Sequence, residues 1–173
     1  MTNNPLLNFR ILQDLDETLL AAASATRALE LWCETRQLYP APVRIEATVK
    51  RNASVAAPDD IWELLAVGAE ETVRYRRVHL TSGGPVLSRA ENWYMPARLT
   101  AAMNCLLDTT TEPFGRVVSP LLISRETVES RRLSPGAASD GILQHVAVLR
   151  RGDGTPVSVV REIYTAALIP SVD

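Results

Sequence analysis

Two pairs of strand-like runs, each closed by a glycine-bearing turn, constrain this chain more than any other feature. Residues 71–80 and 86–94 are joined by Thr81-Ser-Gly-Gly-Pro85, and residues 142–151 and 156–165 by Gly152-Asp-Gly-Thr155. Glycine supplies the positive φ that tight hairpins demand, so each pair predicts two antiparallel neighbours. A fifth strand is predicted where Val43, Ile45, Ala47 and Val49 alternate with Arg44, Glu46, Thr48 and Lys50, the signature of a half-buried strand. The remainder reads with a helical period. Leu12, Leu15, Leu19 and Leu20 share a face of residues 6–22; Ala25, Leu29, Trp32 and Cys33 share one of residues 25–36, behind Ser24 as N-cap. A short helix is expected after Pro58-Asp-Asp60, using Ile61, Leu64 and Leu65. Another is expected from Thr100 to Leu107, with Leu99, Met103, Leu106 and Leu107 inward.

Residues 108–120 read as a loop punctuated by Pro113, Gly115 and Pro120, and Ser134 to Gly141 as an exposed loop. The run 121–133 is open between irregular structure and an edge strand at Val128–Arg132. No βαβ unit repeats, so the expected architecture is a single α+β domain over residues 1–173, with an antiparallel sheet and a flexible stretch at 1–6.

At 173 residues with a net charge of -2, the chain offers no electrostatic footprint for nucleic acid or an anionic membrane surface. No apolar run approaches the roughly 20 residues needed to cross a bilayer, and no secretory leader is visible after Met1. A cytoplasmic location is expected. Cys33 and Cys105 lie in separate apolar helix patterns and read as buried free thiols. Walker A, Gly-x-Gly-x-x-Gly, His-Glu-x-x-His and Gly-x-Ser-x-Gly motifs are all missing. The two histidines, His79 and His145, have no ligand spacing between them, so no metal site is expected.

What remains is arginine and glutamate on strands. In Val73-Arg-Tyr-Arg-Arg-Val-His-Leu80, a period of two puts Arg74 and Arg76 on the face of Val78 and Leu80. An arginine there either reaches solvent or lies inside against an anion, because guanidinium keeps its charge at any working pH. The last strand carries a second ambiguity. Strict alternation groups Arg161 with Val157, Val159 and Ile163, which turns Glu162 outward. The other choice makes Ser158, Val160, Glu162 and Tyr164 the inner face, and a β-bulge between Pro156 and Glu162 produces it.

Thr111-Glu-Pro-Phe-Gly-Arg116, the strand with Arg76, and Pro156-Val-Ser-Val-Val-Arg-Glu162-Ile-Tyr together resemble the chorismate pyruvate-lyase family, from the second helix to about residue 168. The resemblance implies an antiparallel sheet with helical flaps over an internal ligand pocket, a fold shared with UTRA effector domains of bacterial regulators. No helix-turn-helix precedes the domain, so a complete regulator is not expected. Position by position, the resemblance implies Arg76 as carboxylate anchor and Glu162 as the active-site glutamate. It also implies that Phe114, within Pro113-Phe-Gly115, offers its backbone to the ligand. The resemblance likewise implies Ala25 and Glu91 as substrate-binding residues. Phe114 is bulkier than the family's leucine, and Ala25 smaller than its methionine or leucine.

The implied reaction expels pyruvate from chorismate to leave 4-hydroxybenzoate, with Arg76 on the ring carboxylate and Glu162 on the ring hydroxyl. Arg27 and Arg116 are candidates for the pyruvyl carboxylate, and neither metal nor organic cofactor is implied. The implied partner is a small aromatic or cyclohexadiene carboxylate, without nucleic acid or membrane insertion. Product release would wait on movement of residues 6–36 or of the 108–120 loop. The alternative is a non-catalytic protein that binds an aromatic acid in the same pocket.

Overall fold

Both glycine-closed hairpins form, and they meet at the centre of one sheet. A computed structural model describes residues 5–50, 55–134 and 140–170. Within these, the helices are α1 (Pro5–Leu20), α2 (Ala25–Thr35), α3 (Asp59–Leu65), α4 (Ala101–Thr109) and α5 (Phe114–Val117). The strands are β1 (Glu46–Val49), β2 (Arg74–Thr81), β3 (Val86–Tyr94), β4 (Ser124–Arg132), β5 (Gly141–Arg150) and β6 (Pro156–Thr165). Their order is β1-β2-β3-β6-β5-β4, and every neighbouring pair is antiparallel. This is the α+β class expected from the turn signals. The flexibility expected of residues 1–4 and most of the loop expected at 134–141 lie outside the described residues; residues 5 and 6 belong to α1.

Helices α1 and α2 cover one face of the sheet. Ser24 caps α2 as expected, its Oγ accepting from the Arg27 N–H at 3.4 Å. Below the cap, Leu29, Trp32 and Cys33 join Leu15 and Leu19 of α1 in a cluster with Leu80, Leu87, Leu143 and Tyr164. Leu15, Leu19 and Leu29 are fully buried, and each such burial contributes roughly 1.5–3 kcal/mol. The other face is covered by α3, whose Ile61 and Leu65 pack with Trp93, Val146, Val148 and Val159. Arg116 ties the α2–α5 side together: it pairs with Glu30 of α2 and Glu112, and donates to the Ile45 carbonyl.

Three local expectations need correction. Residues 108–120 are not all loop, since α5 begins directly after Pro113, whose fixed φ suits the position before a helix. Strand β4 begins at Ser124 rather than Val128, and Val128 is the extra residue of a bulge between Thr127 and Glu129. Cys105 is exposed on α4, while Cys33 is buried; both are free.

The ambiguity in β6 resolves toward Glu162. Leu149 pairs with Ser158 but Arg150 pairs with Pro156, so Val157 is an extra residue in the ladder. From Ser158 onward, Ser158, Val160, Glu162 and Tyr164 share the face under α1 and α2. Val159 is equally buried because α3 covers the other side.

Candidate functional site

Between that sheet face and the helices lies a cavity of about 250 Å³. Val78 and Leu80 of β2, Ala90 and Asn92 of β3, and Val160 and Glu162 of β6 form its floor. Arg125 of β4 and Leu149 of β5 complete the sheet side. The helical side comes from the α2 cap, residues 23–26, and from Pro113, Phe114 and Gly115. Backbone and side chain both bring polarity here. The Ala25 and Thr26 N–H groups at the start of α2 have no intrahelical acceptor, and the Thr26 hydroxyl lines the cavity without a hydrogen bond to a described residue.

Of the residues expected at a ligand, Ala25, Phe114 and Glu162 line this cavity. Arg76 shares their face and sits directly across from Asn92 in the β2–β3 ladder, but it is not itself among the lining residues. It has not snorkelled to water: only 5% of it is exposed. Its Nη2 donates to the Glu112 carbonyl at 3.3 Å, while Nε and Nη1 are buried with no partner. Asp108, whose charge reaches Arg76, is paired with Arg74 at 3.3 Å. Burial lowers the Arg76 pKa from its usual value, opposed by Tyr94 and Asp108. A guanidinium nevertheless stays protonated, so the interior holds a positive charge without a paired carboxylate.

Glu91 lies on the opposite face, accepting from the Tyr75 hydroxyl at 2.6 Å with Arg161 3.6 Å away. Its expected place at the ligand fails because neighbouring residues of a strand face opposite sides. Arg116 is taken up by Glu30 and Glu112, and Arg27 is exposed on α2, so neither lines the cavity.

The residue that sequence reasoning missed is Arg125. Its side chain is 1% exposed and its Nη2 donates to Glu162 Oε2 at 2.9 Å. The Tyr164 hydroxyl donates to the same oxygen at 2.8 Å; burial pushes that phenol well up, so it keeps its proton. Oε1 takes no hydrogen bond from the described residues, which leaves an acceptor on the cavity side. Behind this pair stands His145, fully buried, with its ring edge-on to Tyr164. Arg125 Nη2 lies 3.5 Å from His145 Nδ1. Arginine can only donate, so Nδ1 accepts and Nε2–H donates to Asp16 Oδ1 of α1 at 2.8 Å. Cavity floor and first helix are thus joined by one hydrogen-bonded chain.

Burial, opposed by the Asp16 hydrogen bond, holds His145 below its ordinary value of 6.5. The unfolded chain therefore binds this proton more readily, and the stability that neutral His145 contributes is present above that value and lost as pH falls below it. Thermal melts of the wild type should show falling Tm from about pH 7 to about pH 5.5, a slope that His145→Gln should reduce.

No family model matches the chain. Its sequence is 41% identical over 174 aligned residues to the uncharacterised protein y4mC of Sinorhizobium fredii, covering 90% of this chain and 73% of that protein. The chain belongs to the y4mC family. Among solved structures, PhnF of Mycobacterium smegmatis superposes with a TM-score of 0.61 at 14% identity, over 87% of this chain and 67% of that one. The effector domain of PhnF gives 0.59 at 13%, over 83% and 89%. The ligand-binding domain of a regulator assigned to the GntR family from Bordetella bronchiseptica gives 0.54 at 20%, over 71% and 83%. These likenesses show that the y4mC-family chain has the UTRA-like fold. Among the described residues no helix is long and apolar enough to cross a membrane, and no cluster of three metal-ligating side chains occurs.

Proposed function

We propose that this domain binds a small organic acid, with a single-ring aromatic carboxylate the chemistry that suits it best. One observation carries the reading: the buried Arg76 guanidinium has two unpartnered nitrogens and no paired carboxylate, and it lies directly across from Asn92, which lines a ligand-sized cavity. Charges are kept in protein interiors when something pairs with them, and an anionic ligand is the partner the chain itself does not supply. A dry cavity of roughly 150 Å³ admits benzene, so about 250 Å³ accommodates one substituted ring. Floor and roof are mostly apolar, as the face of such a ring requires. Glu162 Oε1 can accept from a hydroxyl at the far end of the ligand. Structural neighbours that are themselves effector or ligand-binding domains support a binding role.

Titration calorimetry with 4-hydroxybenzoate tests this. Saturable binding at one site per chain is expected, whereas absence of binding by both 4-hydroxybenzoate and benzoate would contradict the reading. A second reading, elimination of pyruvate from chorismate, is favoured by the position of Glu162 in the same cavity as Phe114 and Ala25. It requires stoichiometric pyruvate when protein in excess meets chorismate; no pyruvate in that single turnover leaves binding alone.

A further inference from the structure

Asn92 is a buried polar residue in the floor of the cavity. It is 3% exposed, it lines the cavity, and its amide makes no hydrogen bond to a described residue. Unlike the Arg76 nitrogens, its amide atoms are not sealed off without a partner, so they open onto the cavity, where a ligand can satisfy them. The strand registers define its setting. Arg76 lies directly across on β2, and Val160 directly across on β6, with Glu162 two residues further along. Asn92 and Glu162 are therefore diagonal neighbours, roughly 7–8 Å apart along the sheet, and Ala90 completes the floor beside them. One ring with polar groups at opposite ends bridges such a pair while lying flat on small apolar side chains.

We propose that Asn92 selects the acid group of the ligand. Its neutral amide donates to a carboxylate without adding charge, Arg76 next to it supplies the compensating charge, and Glu162 accepts from a donor at the opposite end of the ring. The assignment rests on the organic-acid reading and narrows it to rings bearing a carboxylate and a hydroxyl or amino group on opposing positions. It also accounts for why the residue is not an aspartate. A carboxylate here would pair with Arg76 internally and repel the ligand.

The test titrates 4-hydroxybenzoate and its neutral counterpart 4-hydroxybenzamide into the wild type, Asn92→Asp and Asn92→Leu. The wild type should prefer the acid by at least about tenfold. Asn92→Asp should reverse that order, because its carboxylate accepts from an amide and repels an acid. Its Tm should rise, since Arg76 gains a counter-charge, a readout that a merely structural asparagine would not give. Asn92→Leu should lose the acid without gaining the amide. Failure of the wild type to bind either probe overturns the organic-acid reading itself. Binding by the wild type with its order of preference kept in Asn92→Asp overturns the Asn92 assignment alone. If Asn92→Asp does not fold, retention of the wild-type preference in Asn92→Leu has the same consequence.

Discussion

Arg76→Met should give a protein that folds and melts at a higher temperature than the wild type, yet no longer binds 4-hydroxybenzoate. Both effects follow from one fact. The Arg76 guanidinium is 5% exposed and two of its nitrogens are buried without partners, so folding bears a desolvation cost that the Glu112 carbonyl and the more distant Asp108 offset only in part. Methionine fills similar space without that cost. The bound state reverses the balance, because the ligand's carboxylate meets the charge. Removing one partner of a buried, hydrogen-bonded charge pair typically costs about 2–5 kcal/mol, a loss of roughly 30-fold to several thousandfold in affinity. Calorimetry and thermal melts on the same samples give both numbers. A variant that binds as tightly as the wild type would remove Arg76 from the site.

Arg125→Met should act in the opposite sense, lowering stability by about 3–5 kcal/mol, because Glu162 is left as a buried carboxylate without its cation. The side chains of the pair are 1% and 7% exposed, so solvent cannot take over the role of the guanidinium. The substitution also removes the donor to Thr127 Oγ1 and to the Leu19 carbonyl, loosening β4 from the end of α1. Urea denaturation of Arg125→Met, Glu162→Leu and the double variant separates these contributions. The double variant should recover most of the loss, since replacing a buried ion pair by apolar groups is far less costly than breaking it. A single variant within about 0.5 kcal/mol of the wild type would mean the pair is solvated in solution.

How much of this was legible depended on which faces of the sheet are covered. The hairpins, the two leading helices and the Ser24 cap could be read because glycine turns, a 3.6-residue period and a capping side chain are local signals. Arg76 was legible as a choice between outside and inside, and only the tertiary structure, which buries it and brings the Glu112 carbonyl to its Nη2, decided it. Glu162 was undecidable by alternation because α3 buries Val159 on the reverse face and the bulge at Val157 shifts the phase. The misplacement of Glu91 is the same problem in its simplest form: one residue along a strand reverses the face, and its neighbour Asn92 is the one at the cavity. Arg125 did leave a signal, in the alternation of Ile123, Arg125 and Thr127 with Ser124, Glu126 and Val128. The bulge at Val128 ends that alternation after three pairs, so the run resembled irregular chain.

The central claim is that the buried charge of Arg76 is completed by a ligand's carboxylate inside the cavity. A crystal structure of the protein with 4-hydroxybenzoate tests it most directly. The account predicts the carboxylate within hydrogen-bond distance of Arg76 and Asn92, with the ring over Ala90 and Val160 and the hydroxyl on Glu162 Oε1. A ligand seated elsewhere, or one in the cavity with Arg76 Nε and Nη1 still unpartnered, would contradict it.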